Sequence, residues 1–114
     1  MLSGDDGPFD RAVLLSEAEW SFCAAAWLWA ANAFVQLNTW QHVAVVYEAT
    51  GSRFYFNGVL SGVLASADAS VSAVNLNVGR NPTYGEYFAG IIDEVRVYER
   101  ALTDEEVWDL YISP

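Results

Sequence analysis

The sequence predicts an all-β sandwich that ends in one short C-terminal helix. Three observations lead there. Short apolar runs rich in β-branched and aromatic residues recur between turn residues, Asn57-Gly58 separates two such runs, and a helix-capping signature stands at Thr103 to Glu106. A chain of 114 residues has room for one domain, 1–114, around one core, since dividing it would leave each half burying too little surface to offset chain entropy. Its hydrophobic share of 54% places it away from compositions that stay disordered.

The elements follow in order. Ala12-Val13-Leu14-Leu15 reads as a first strand. Phe22 to Trp29 is a second apolar run, whose alanines would also suit a helix, and Phe34 to Leu37 is a short third candidate. His42 to Glu48 is a strong strand because its valines and tyrosine favour a pleated surface, and the turn Ala49-Thr50-Gly51-Ser52 follows it. Arg53 to Phe56, Asn57-Gly58 and Val59-Leu60 form a hairpin, with Asn-Gly supplying the positive φ angles of a two-residue turn. Val74 to Val78 alternates apolar residues with Asn75 and Asn77. A last strand is expected from about Phe88 to Tyr98. The period of two sets Ile91, Asp93, Val95 and Val97 on one face, and Ile92, Glu94, Arg96 and Tyr98 on the other, so Asp93 falls among apolar neighbours. Thr103 then caps a helix, Glu106 reaches back to complete the box, and Val107, Leu110 and Tyr111 recur at helical spacing.

Charge narrows the partners. Fifteen acidic residues face five basic ones, all arginine, for a net charge of -10. Nucleic acid is excluded, because phosphate binding needs clustered cations to release counterions. The acidity suits either simple solvation or a cation such as calcium. Cys23 stands alone, so no internal disulfide forms and cysteine usage gives no sign of an oxidising compartment. Trp20 to Val35 is nearly continuous in apolar residues, yet it falls short of the roughly twenty residues a membrane span requires. Asp5, Asp6, Asp10, Glu17 and Glu19 precede it with one arginine, the reverse of a basic signal-peptide start, so neither a membrane span nor a signal peptide is expected.

Three stretches together resemble the laminin G-like jelly rolls of the concanavalin A-like lectin/glucanase group. Trp40-Gln41-His42-Val43-Ala44 is similar to that family's W-x-H-V-A strand, and Tyr55-Phe56-Asn57-Gly58 to its Y-x-N-G hairpin. Gly90 to Leu102, with Thr103-Asp104-Glu105-Glu106 after it, resembles its last strand and terminal helix, and Leu76 to Arg80 its l-x-i-G strand. Phe22 to Leu28 resembles the family's F-T-x-x-A-W-x strand, which assigns the alanine-rich run to strand. Between Trp27 and Trp40 the family usually places two or three further strands, and about a dozen residues cannot hold them. The resemblance therefore implies a shortened concanavalin A-like jelly roll. Missing strands would expose sheet edges and put Trp20, Trp27 and Trp29 at risk, so a homo-oligomer in which one copy completes another is expected. The alternative is that the remaining strands close over a smaller core.

The resemblance implies a non-catalytic module that binds carbohydrate or a glycoconjugate in adhesion, in an extracellular or cell-surface setting. A self-associating structural or protein-interaction module is the alternative reading. Related glucanases carry paired carboxylates on one strand face roughly 5 Å apart. Here Asp93 and Glu94 are adjacent and point apart, while Asp93 and Glu99 share parity but lie about 20 Å apart in an extended strand. His42 is the one histidine and suits a structural role in its strand; with a single cysteine it leaves zinc without ligands. No serine stands in a G-x-S-x-G context. A structural Ca2+ is the cofactor to consider, since relatives hold one. Asp5, Asp6 and Asp10 lie in a Gly/Pro-containing loop, and Asp93 would meet them if first and last strands are neighbours, as the resemblance implies. For a glycan or protein ligand, Arg80 to Tyr87 offers two aromatic platforms, Tyr84 and Tyr87, beside Arg80 and Asn81 as hydrogen-bond donors.

Overall fold

The computed structural model describes residues 2–4, 12–16, 19–24, 27–64, 76–81 and 85–113. Ten strands and one helix lie within them: β1 (Leu2–Gly4), β2 (Ala12–Ser16), β3 (Glu19–Ala24), β4 (Trp27–Phe34), β5 (Val43–Glu48), β6 (Gly51–Phe56), β7 (Val59–Leu64), β8 (Leu76–Val78), β9 (Arg80–Asn81), β10 (Glu86–Tyr87) and α1 (Asp104–Ile112). All pairings are antiparallel, in a five-stranded sheet of order β4-β3-β2-β1-β8, a three-stranded sheet β5-β6-β7 and a two-stranded ribbon β10-β9.

Strand parity decides how the three-stranded sheet is covered. Val43 lies opposite Phe56 and Val45 opposite Phe54, so these four share a face. That face packs on Trp20 of β3 and Ala33 of β4, joined by Val35, Tyr47 and Phe88. The opposite parity, Ala44, Val46 and Tyr55, packs on Leu102, Val107 and Leu110. The sheet is thus buried on both sides, by the larger sheet on one and by α1 on the other. Phe54, Tyr55 and Val107 have no exposed surface, and each such side chain contributes roughly 1.5–3 kcal/mol through burial.

The Asn57-Gly58 turn forms as expected, with Asn57 at φ 48° and Gly58 at φ 80°. A side chain on Gly58 would lie 2.8 Å from Trp108 Cε3 and from Tyr111 Cδ1, so this glycine serves both the turn and the seat of the helix. The capping box is complete: Glu106 N–H donates to Thr103 Oγ1 at 3.2 Å, and Thr103 N–H donates to Glu106 Oε2 at 2.8 Å. A bulge between Phe54 and Tyr55 shifts the β6–β7 register by one residue at Ser61.

Several expectations need correction. Phe22 to Trp29 is not one strand: Phe22 to Ala24 ends β3, Trp27 begins β4, and Ala24 pairs with Trp27. Phe34 closes β4 instead of opening a strand to Leu37; residues 35–42 are a loop, in which Gln41 Nε2 donates to the carbonyls of Gln36 at 2.7 Å and Thr39 at 3.1 Å. That loop joins β4 directly to β5, which fits the shortened connection read from the sequence. Trp20 is core, 7% exposed, with its indole N–H donating to Gln41 Oε1 at 3.3 Å. The ribbon β9–β10 and strand β1 were not anticipated, and β1 pairs with β8.

The largest departure is Phe88 to Tyr98. No strand forms between Phe88 and Leu102, and Ile91, Val95, Val97 and Tyr98 are exposed. The alternation that predicted a strand is present; the neighbour that would bond it is absent among the described residues. Glu94 interrupts the run at φ 54°, and its N–H is taken by Asp93 Oδ1 at 2.8 Å. Asp93 is therefore exposed and bound to its own turn, not set among apolar neighbours. Val74 and Asn75 lie outside the described residues.

Candidate functional site

The ribbon that follows β8 is the best-formed candidate. Gly79, at φ 79°, lets the chain leave β8 and start β9 at once. Phe88 N–H then donates to Gly79 O at 2.8 Å, closing the base of the ribbon. Tyr87 lies directly opposite Arg80, and Glu86 opposite Asn81. Cross-strand partners project to the same side, so the Tyr87 ring and the Arg80 guanidinium share one side of the ribbon. Tyr87 is 76% exposed, and Arg80 Nε donates to Asn77 Oδ1 at 3.2 Å. Asn77 is itself buried, and its Nδ2 has no hydrogen-bond partner among the described residues. An exposed phenol beside an anchored guanidinium can stack a sugar ring or aromatic group and donate hydrogen bonds to its rim.

Of the four expected ligand residues, the structure therefore brings Arg80 and Tyr87 together. Asn81 is one register position away, paired with Glu86, and Tyr84 lies outside the described residues. Of the expected metal set, Asp5, Asp6 and Asp10 lie outside the described residues, and Asp93 is exposed with Oδ1 accepting from the Glu94 amide. Among the described residues no three His, Cys, Asp or Glu side chains are placed to hold a metal ion.

Sequence reasoning missed the loop at 35–42, which presents Leu37 and Trp40 to solvent. Trp40 belongs to the stretch that resembles the family's W-x-H-V-A strand, and the signal for a loop there is the polar cluster Gln36, Asn38 and Thr39 before it.

Shifted titration among the described residues occurs away from the ribbon. Burial raises the Tyr55 hydroxyl well above its usual range, reinforced by its hydrogen bond to Asp104 Oδ1. Arg53 ties the same group together: Nη1 donates to Tyr55 Oη and to Asp104 Oδ1, each at 2.7 Å, and Nη2 to Glu48 Oε1 at 2.7 Å and Leu102 O at 3.0 Å. The shallow depression beside it is lined by Glu48, Arg53, Leu102 and Asp104 together with Ala101, Thr103 and Glu105. The Arg53 guanidinium meets four acceptors of the protein, so the network reads as the anchor of α1. The His42 pKa is lowered from 6.5 by burial and by Arg96; its ring packs 6.0 Å from that of Tyr111, and Nδ1 is buried with no hydrogen-bond partner among the described residues.

The two packed antiparallel sheets define a β-sandwich domain. The chain belongs to the Laminin_G_3 family, Concanavalin A-like lectin/glucanases superfamily, which it matches over residues 21–108. It is 27% identical over 88 residues to Adhesion G-protein coupled receptor V1 of Danio rerio, a match that takes in 74% of this chain and 1% of that protein. Among solved structures it resembles an S-layer domain-containing protein of Clostridium thermocellum ATCC 27405, with a TM-score of 0.61 at 21% identity over 82% of this chain and 50% of that one. That likeness shows the fold. No helix among the described residues is long and apolar enough to cross a membrane.

Proposed function

We propose that this domain is a glycan-binding adhesion module of the cell exterior, and that its ligand lies against the side of the β9–β10 ribbon formed by Tyr87 and Arg80. One observation carries the reading: a tyrosine 76% exposed stands across a two-residue ladder from an arginine anchored by buried Asn77. An exposed aromatic on a rigid ladder supplies contact area at little entropic cost, and the guanidinium supplies directed donors that orient a hydroxyl-rich or acidic sugar. Family membership and the adhesion-receptor relative support the same setting.

A glycan array followed by titration calorimetry on the strongest hit tests it. Tyr87→Ala is expected to weaken that binding by at least about tenfold, the scale of one lost stacking contact with its buried area. Trp40→Ala is expected to leave it unchanged. A blank array overturns the glycan reading, and binding lost in Trp40→Ala but kept in Tyr87→Ala moves the site to the 35–42 loop.

A further inference from the structure

Residues 91–98 have the pattern of a strand and pair with no strand among the described residues. The backbone–backbone hydrogen bonds outside the sheets and helix start from Asn57, Phe88, Val107 and Ser113, so none among the described residues serves Ile91 to Tyr98. The apolar positions of the run are open to solvent, Ile91 at 77% and Val97 at 68%. Unpaired N–H and C=O groups in an exposed, alternating, apolar segment are a template for strand addition.

We propose that this segment pairs with the same segment of a second copy, antiparallel about a two-fold axis at Val95. On one side of the ribbon the sequence is complementary to itself in that register. Glu94 faces the partner's Arg96, Arg96 faces the partner's Glu94, and Ile92 faces the partner's Tyr98 on the same side of the ribbon. Val95 meets the partner's Val95 on the other side. Moving the axis onto Glu94 or onto Arg96 sets like charges against each other, which is unfavourable at cross-strand positions. The charges of 91–100 are Asp93, Glu94 and Glu99 against Arg96 and Arg100, so the segment carries little of the net charge of -10 that keeps other surfaces apart. In the single chain Arg96 turns back to Glu94 at 2.9 Å, and the Asp93 carboxylate closes on the Glu94 amide. Pairing replaces both contacts by cross-strand ones, with Glu94 moving from φ 54° to extended backbone.

Sedimentation equilibrium on the whole chain, run up to about 100 µM, tests the pairing. Wild type is expected to form dimers. Glu94→Arg and Arg96→Glu each place like charges across the axis and are expected to raise the dimer dissociation constant by about tenfold or more. An equimolar mixture of the two variants restores both opposite-charge pairs between chains while neither chain regains its internal pair, so it is expected to form heterodimers at near wild-type strength. A monomeric wild type overturns the proposal, as do single variants that dimerise like wild type or a mixture no stronger than its components. Val95→Lys, which opposes like charges on the axis itself, is the third break should either variant lose its wild-type circular dichroism.

Discussion

Asn57 holds His42 by two hydrogen bonds: its side-chain Oδ1 accepts from the His42 N–H and its own N–H donates to the His42 carbonyl, both at 2.8 Å. The pair joins the start of β5 to the turn that ends β6, so one residue sets a left-handed turn and fixes the register of the central hairpin. Asn57→Ala removes the acceptor and strains a backbone at φ 48°, and is expected to cost about 2 kcal/mol. Asn57→Gly keeps the turn conformation and loses only the acceptor, at about 1 kcal/mol. Urea denaturation of the three proteins would separate the two contributions, and equal losses would show that the side-chain bond is the whole effect.

Gly58 closes the same turn with Trp108 and Tyr111 of α1 packed over it. Gly58→Ala meets two costs, a positive φ and a collision at 2.8 Å with ring atoms that the helix holds in place. About 1 kcal/mol of backbone strain adds to about 1–3 kcal/mol of overpacking, so a loss of about 2–4 kcal/mol is expected in thermal or urea unfolding. Tyr111→Ala in the same background removes one of the colliding rings and should recover part of that loss in a double-mutant cycle.

Acidification should act in two steps. Burial, and then Arg96, lowers the His42 pKa below 6.5, so the folded state favours the neutral imidazole. Its contribution is complete above about 6.5 and declines as pH falls through the lowered value. Glu106 is held down to about 2 by the Arg100 guanidinium and then the Thr103 amide, so its contribution is complete above 4.5 and is lost as pH falls toward 2. Melting temperature against pH should therefore stay level from neutrality to about 6.5 and fall below it, with a further fall beginning near 4.5. His42→Gln should remove the first decline, and Arg100→Ala should shrink the second by bringing the Glu106 carboxyl back toward 4.5. A first decline that persists in His42→Gln would assign it to another group.

What the sequence made legible follows from how local each signal is. The Asn57-Gly58 turn and the Thr103–Glu106 cap are complete within a few residues, and both form as read. His42 to Glu48 owes its strand character to its own side chains, so β5 falls at Val43–Glu48. Ile91 to Tyr98 carries the same alternation, but a strand also needs an edge to bond to, and that is a property of the whole sheet. The division of Phe22 to Trp29 between β3 and β4 failed for a related reason, since a uniformly apolar run carries no period to show where it reverses. At the site, aromatic and donor composition pointed to Arg80 and Tyr87. Their presence on one side came from the register of a two-residue ladder too short to be seen as a strand pattern.

Arg53 shows how α1 is fastened. Its side chain is 24% exposed and serves four acceptors: Tyr55 Oη, Asp104 Oδ1, Glu48 Oε1 and Leu102 O. The legs are not equal. Asp104 is 65% exposed and Glu48 37%, so solvent screens the Asp104 pair more strongly, and Asp104→Ala is expected to cost about 1 kcal/mol. Arg53→Ala removes every leg at once, leaves the Leu102 carbonyl and Tyr55 hydroxyl short of a donor, and uncovers the ring that the guanidinium lies 5.8 Å from. A loss of about 2–3 kcal/mol is expected. Arg53→Lys keeps the charge, but one ammonium cannot reach four acceptors spread around a planar fork, so most of that loss should remain. Recovery of wild-type stability by lysine in urea titrations would mean that charge alone holds the helix, against the forked geometry argued from these distances.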